Sequence, residues 1–141
     1  MDNIFERIGK LVPQAHVALY RGTGGIVGGW MLAPVLLLST TGRKSGKQRT
    51  TPLTFMPHGG DFVVIASLGG APHHPAWWLN LMANSQAQVE LGILRFHVRA
   101  READGDERER LWRRVTTWMP MYEAYQRRTD RRIPVVVLER D

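Results

Sequence analysis

The sequence predicts a small antiparallel β-barrel with helices inserted between its strands, an α+β chain in which β dominates. Three observations point there. Short apolar or alternating runs recur along the chain, each closed by tight-turn residues, as hairpin-built sheets require. The helical stretches interrupt these runs without following every strand, which is not the rhythm of a parallel βαβ sheet. And 141 residues, 43% of them hydrophobic and none of them cysteine, suit one domain, 1–141, held by its core alone. Without cysteine there is no disulfide scaffold, thiolate metal site or cysteine nucleophile, and a cytoplasmic location is expected.

Residues 1–21 read as a helical N-terminal segment. Ile4, Ile8, Leu11 and Ala15 lie at helical spacing, and Pro13 divides the run into two short helices. Gly22, Gly24, Gly25, Gly28 and Gly29 make a glycine-rich entry. Val35 to Thr40 is a continuous apolar strand, Gly42 to Gln48 has turn chemistry, and Arg49 to Met56 is the returning strand. His58-Gly59-Gly60-Asp61 marks the next turn, before a strand from Phe62 to Ala66. Pro75 to Ala83 is a short helix opened by proline, with Trp77 and Trp78 one turn ahead of Leu81 and Met82. Gln88 to Leu91 and Ile93 to Arg101 pair around Gly92. There Val98 and Ala100 alternate with Arg99 and Arg101, predicting one wet face. Asp106 with Glu109 predicts a capped start for a helix from Glu107 to Trp118. Tyr122 to Arg128 is a second short helix, and Ile133 to Leu138 the last strand. The most apolar run, Ile26 to Ser39, is broken by Gly28, Gly29 and Pro34, and falls short of the roughly 20 residues of a membrane helix.

The net charge of +6 invites a nucleic-acid reading, but its distribution argues against one. Residues 1–60 hold 7 Lys/Arg and 2 Asp/Glu, whereas residues 101–141 hold 10 and 9. The excess centres on Arg43, Lys44, Lys47 and Arg49, with no acid among them. The cluster sits at a hairpin tip and suits an anion: forked contacts from the arginines, point charges from the lysines, a hydroxyl from Ser45. A solubilising charged hairpin satisfies the same pattern. Gly42-Arg43-Lys44-Ser45-Gly46-Lys47 is not a Walker A loop, because the glycine spacing is too short and Gln48 follows the lysine. The segment from Gly22 is not a dinucleotide fingerprint either, since Val27 stands where its third glycine belongs.

Other signals are weaker alone. Ser67-Leu68-Gly69-Gly70-Ala71-Pro72 follows a strand, and its glycines allow a planar ligand close to free backbone N–H groups; an ordinary loop fits too. His73 and His74 lack acidic neighbours, so no metal site is expected. No G-x-S-x-G elbow suggests a serine hydrolase. Trp77 and Trp78 suit stacking or core packing, and Tyr122 and Tyr125 share one helix face.

Together these pieces occur in a specific order. Val35 to Gly46 is followed by Arg49-Thr50-Thr51-Pro52-Leu53, Val64-Ile65-Ala66-Ser67, Gly69-Gly70-Ala71-Pro72 and His74-Pro75-Ala76-Trp77. Asn80-Leu81, Ala83-Asn84, Tyr125-Gln126, Thr129, Arg131 and Ile133-Pro134-Val135 complete it. Over about residues 15–139 the chain resembles the deazaflavin-dependent nitroreductase and quinone reductase family of actinobacteria. The resemblance implies a six-stranded antiparallel split β-barrel, FMN-binding-like, with flanking helices. It implies an oxidoreductase passing hydride from reduced coenzyme F420 to a quinone-like or nitro-aromatic acceptor. An FMN-binding reductase on the same barrel and a non-catalytic F420 carrier are the alternatives.

By position, the resemblance places Arg43, Lys44, Ser45 and Arg49, helped by Lys47, on the coenzyme's phosphate and acidic tail, with Thr51 and Pro52 beside the ring. It places the backbone of Ala66, Ser67, Leu68 and Gly69 against the deazaflavin, with Pro75, Ala76, Trp77 and Asn80 closing the site. Ser67, Tyr122 and Tyr125 fall on the acceptor side as the catalytic candidates. Leu68 departs from the Lys or Asn of many relatives, and the Glu90 to Phe96 hairpin is shorter than usual. No metal and no nucleic acid are implied. The chain is expected as a monomer or homodimer. Packing of the first helix on the barrel is favoured over contact of its apolar face with the inner side of the membrane.

Overall fold

The structure, a computed structural model, describes residues 34–141. The helices expected over 1–21 and the glycine-rich entry therefore lie outside the described residues. Seven strands and three helices follow: β1 (Val35–Thr41), β2 (Gln48–Thr54), β3 (Met56–His58), β4 (Asp61–Ile65), α1 (Ala76–Ala83), β5 (Gln86–Leu91), β6 (Leu94–Glu102), α2 (Gly105–Trp118), α3 (Met121–Arg127) and β7 (Val135–Arg140). Every neighbouring pair is antiparallel, in the order β2-β1-β5-β6-β7-β4-β3.

Six strands were expected, and the seventh arises where the returning strand is cut in two. β1 pairs with β2 out to Val35 opposite Thr54, and Pro34 precedes it. With no further residue of β1 to pair, the chain turns through Phe55, whose N–H donates to the Pro34 carbonyl at 3.0 Å. From Met56 it pairs with β4 instead. One continuous stretch thus supplies both ends of the sheet order, so the sheet curls into a split barrel.

The core follows the period of two. Leu36 and Leu38 of β1, Phe62 and Val64 of β4, and Val136 and Leu138 of β7 all join one buried cluster inside the curl. Trp77, Trp78 and Leu81 of α1 join it too. Alternate residues Val63, Ile65, Val135 and Val137 face the other way, where Leu111 and Val115 of α2 and Tyr122 of α3 cover them. With both faces buried, β4 and β7 read as unbroken apolar runs. Each such side chain contributes roughly 1.5–3 kcal/mol by leaving water.

β6 keeps its wet face: Val98 and Ala100 are buried while Arg99 and Arg101 are exposed. The expected Asp106–Glu109 cap does not form. α2 begins earlier, at Gly105 (φ 51°), after an extended Asp104 that makes no side-chain cap bond. Glu107 is drawn instead to the Arg101 guanidinium, at 2.5 and 2.9 Å. Asp106 and Glu107 still lie in the first turn, where the helix dipole favours them. Among the described residues no helix is long and apolar enough to cross a membrane.

Candidate functional site

The hairpin between β1 and β2 carries the basic cluster. Its closure is local: Gly42 N–H donates to the Lys47 carbonyl (2.7 Å) and Gly46 N–H to the Gly42 carbonyl (2.8 Å). The Ser45 hydroxyl accepts from the Lys47 N–H at 3.1 Å. Gly46 turns at φ 72°, which glycine adopts without strain. Arg43, Lys44, Lys47 and Arg49 are all exposed, and none forms an ion pair with a described residue.

Asn80, on α1, fixes where this hairpin points. Its side-chain carbonyl accepts from the Arg43 N–H at 3.1 Å and from the Arg43 guanidinium at 3.0 Å. Its amide group donates to the Thr40 hydroxyl at 3.2 Å. Asn80 is only 4% exposed, so its polar atoms depend on these partners.

After β4, residues 66–71 form the second part. Leu68 (φ 46°), Gly69 (φ 64°) and Gly70 (φ 83°) are left-handed in succession. Leu68 is the one non-glycine residue with positive φ among those described, a conformation that costs about 1–2 kcal/mol. Such strain collects at functional turns and persists only where surroundings impose it. The amides of Leu68 and Gly69 donate to no described group, whereas those of Gly70 and Ala71 close the turn onto the Ser67 and Leu68 carbonyls at 2.9 and 3.1 Å. A β-carbon on Gly70 would stand 2.5 Å from the Tyr125 carbonyl, so α3 sits directly behind the turn.

Arg131 grips the same turn from the chain's far end. Nε donates to the Ala71 carbonyl (2.8 Å), Nη1 to that of Ala66 (3.1 Å) and Nη2 to that of Ser67 (2.6 Å). Nη1 also reaches Nδ1 of His74 at 3.0 Å. Burial, then the Arg131 charge, hold the His74 imidazole below its ordinary range, against a smaller opposing pull from Glu102. The neutral ring, with Nδ1 unprotonated, is the form that accepts from a guanidinium.

Between these parts lies an open groove of about 530 Å³, lined by Leu68, Pro75, Ala76 and Leu79 with Arg43, His73 and His74. It joins the hairpin to the strained turn and the start of α1, which follow one another later in the chain.

The sequence model of a family described as F420H(2)-dependent quinone reductase matches residues 12–140. The chain belongs to the F420H(2)-dependent quinone reductase family. It is 41% identical over 138 residues to a protein of Mycobacterium tuberculosis named F420H(2)-dependent quinone reductase, covering 94% of this chain and 93% of that one. A solved structure titled as an F420-H2 dependent reductase is 42% identical, with a TM-score of 0.69, covering 75% of this chain and 94% of that one. Another, described as a domain-swapped dimer, is 36% identical and covers 98% of each chain, with a TM-score of 0.71.

For a member of the F420H(2)-dependent quinone reductase family, the residues singled out from sequence fall into four groups. Arg43, Leu68, Pro75 and Ala76 meet in the groove, with Ser67 and Gly69 beside Leu68 in the turn. Lys44, Ser45, Lys47 and Arg49 project from the hairpin, while Thr51 and Pro52 are half-buried along β2. Ala66, Trp77 and Asn80 are buried; Trp77 packs in the inner cluster and shapes the wall from behind. Tyr122 belongs to the outer cluster, and burial, then Tyr125, raise its phenol above the ordinary tyrosine range. Tyr125 stacks edge-on against it at 5.9 Å, behind the turn and not among the groove-lining residues. The roles of Arg131, His74 and the Asn80–Arg43 link were not read from sequence. Arg131 stood within a recognised motif, but nothing in its spacing tied it to a turn some 60 residues earlier.

Proposed function

We propose that the chain is an F420-dependent oxidoreductase passing a hydride from the reduced coenzyme to a quinone-class acceptor. The observation that carries this reading is the groove itself. It brings a hairpin of cations that pair with no described carboxylate, a turn with two amides that donate to no described group and an apolar wall to one place. These features fit an acidic-tailed planar ring: charge for the phosphate and tail, amide donors for ring carbonyls, apolar surface for the ring.

Arg43, Lys44, Lys47 and Arg49 bind the anionic end, with Ser45 shaping the loop that presents them. Asn80 aims Arg43. The Ser67, Leu68 and Gly69 backbone, following Ala66, orients the ring, with Thr51 and Pro52 beside it. Pro75, Ala76 and, from behind, Trp77 exclude water from its face. When bound, the reduced deazaflavin supplies the hydride, so no strong protein base is required. The proton that the reduced acceptor takes up comes from water or from the Tyr125 phenol, which lies behind the turn and outside the groove; Tyr122 packs against that phenol from the core, and Ser67 borders the acceptor. The protein works as a homodimer, a reading that rests on its similarity to the domain-swapped structure.

Titrating the purified protein with F420 and with FMN, followed by coenzyme fluorescence, tests the reading, and reduced F420 is then mixed with a quinone. Micromolar F420 binding and quinone-dependent oxidation of the reduced coenzyme are expected. FMN binding without F420 binding overturns the coenzyme. Tight F420 binding with no oxidation by a quinone panel makes the protein a carrier.

A further inference from the structure

We propose that Arg131 is a positioning residue for the coenzyme: its guanidinium holds the 66–71 turn in the left-handed form that leaves the Leu68 and Gly69 amides free to donate. The inference rests on the coenzyme reading above and adds a residue to it. A planar fork suits the task, because one rigid group has to meet several acceptors at fixed angles. Arg131 bonds the Ala66, Ser67 and Ala71 carbonyls at 2.6–3.1 Å, at both ends of the strained residue. No carboxylate among the described residues competes for it. Burial pulls its own pKa down, as expected of a cation held by carbonyls and not by an ion pair.

The His74 contact extends the clamp to the groove wall, since His74 precedes Pro75 and itself lines the groove. Arg131 does not line the groove, so it acts through the turn and does not itself bond the coenzyme. A second cation, Arg128, reaches the Gly69 carbonyl only at 3.4 Å. Arg131 therefore carries the clamp. Lysine in its place brings the charge without the fork, and one ammonium cannot meet three carbonyls and an imidazole in these directions.

The test uses the full chain with Arg131→Lys, Leu68→Gly and both together. Amide hydrogen exchange on the coenzyme-free protein reads the turn directly. Arg131→Lys is expected to speed exchange at Gly70 and Ala71 at least tenfold while β1 amides keep their rates. F420 titration is expected to show roughly tenfold weaker binding. That loss shrinks when Arg131→Lys is made in the Leu68→Gly background, because glycine takes a positive φ without being held. A purely structural arginine would cost the same in either background. Unchanged exchange at Gly70 and Ala71, or an equal loss of F420 affinity in both backgrounds, overturns the proposal. Wild-type protein that binds no F420 overturns the functional reading instead, and the exchange experiment still decides the clamp.

Discussion

Replacing Asn80 separates its two duties, holding the fold and aiming Arg43. In Asn80→Ala the Arg43 N–H loses its acceptor at 3.1 Å and the Thr40 hydroxyl, 2% exposed, loses its donor at 3.2 Å. Two such bonds are worth about 1 kcal/mol each. The Arg43 guanidinium contact adds little, because that side chain is exposed and screened. A loss of about 2–3 kcal/mol in unfolding free energy follows, with the urea midpoint lowered and the slope unchanged. Asn80→Asp behaves differently. Its carboxylate still accepts both Arg43 bonds, and more strongly, but cannot donate to Thr40. Stability is then expected within about 1 kcal/mol of wild type, while F420 binds several-fold more weakly, because Arg43 now spends its charge on a protein carboxylate. Urea unfolding and a fluorescence titration measure the two effects. An Asn80→Ala protein as stable as wild type, or an Asn80→Asp protein of undiminished F420 affinity, would refute the reasoning.

Four further expectations concern two glycines, His74 and Tyr125. Gly70→Ala places a β-carbon 2.5 Å from the Tyr125 carbonyl and 3.0 Å from Arg128 Cβ at φ +83°; overpacking plus strain lowers stability by about 3 kcal/mol. Gly46→Ala, strained at φ +72° but facing open space, costs only about 1 kcal/mol in the same unfolding assay. His74 binds a proton less readily folded than unfolded, so the unfolded chain gains that proton first. Its contribution to stability is present above about pH 6.5 and is lost as pH falls towards the depressed folded value. A His74→Asn protein should show a shallower decline over that window in melts at stepped pH. Tyr125→Phe should slow quinone-dependent turnover more than it weakens F420 binding; steady-state kinetics beside a titration decide this, and the opposite pattern reassigns Tyr125 to binding.

Much of the fold was legible because its signals are local. The alternation of Val98 and Ala100 with two arginines, the apolar runs of β1 and β4, and turn residues at Gly42 to Gln48 each report on near neighbours. Boundaries were less so. The strand expected through Met56 breaks at Phe55 because β1 runs out of residues at Val35, a fact about a partner strand that no window over 49–56 contains. The Asp106–Glu109 cap does not form because the helix already opens at Gly105, after an extended Asp104, which puts Asp106 inside the first turn.

By itself the sequence determined the β-rich antiparallel fold class, the freedom from cysteine and the cation cluster on a hairpin tip. It also gave the ordered motifs whose resemblance pointed to a deazaflavin coenzyme, now supported by membership of the F420H(2)-dependent quinone reductase family. Only the tertiary structure decided which cation is aimed and what holds the turn. Asn80 reaches Arg43 across 37 residues, and Arg131 reaches Ala66 across 65. Hydrogen bonds between segments so far apart leave no periodicity in the chain. They exist because a curled sheet brings its hairpin, its β4 turn and its C-terminal approach to one rim.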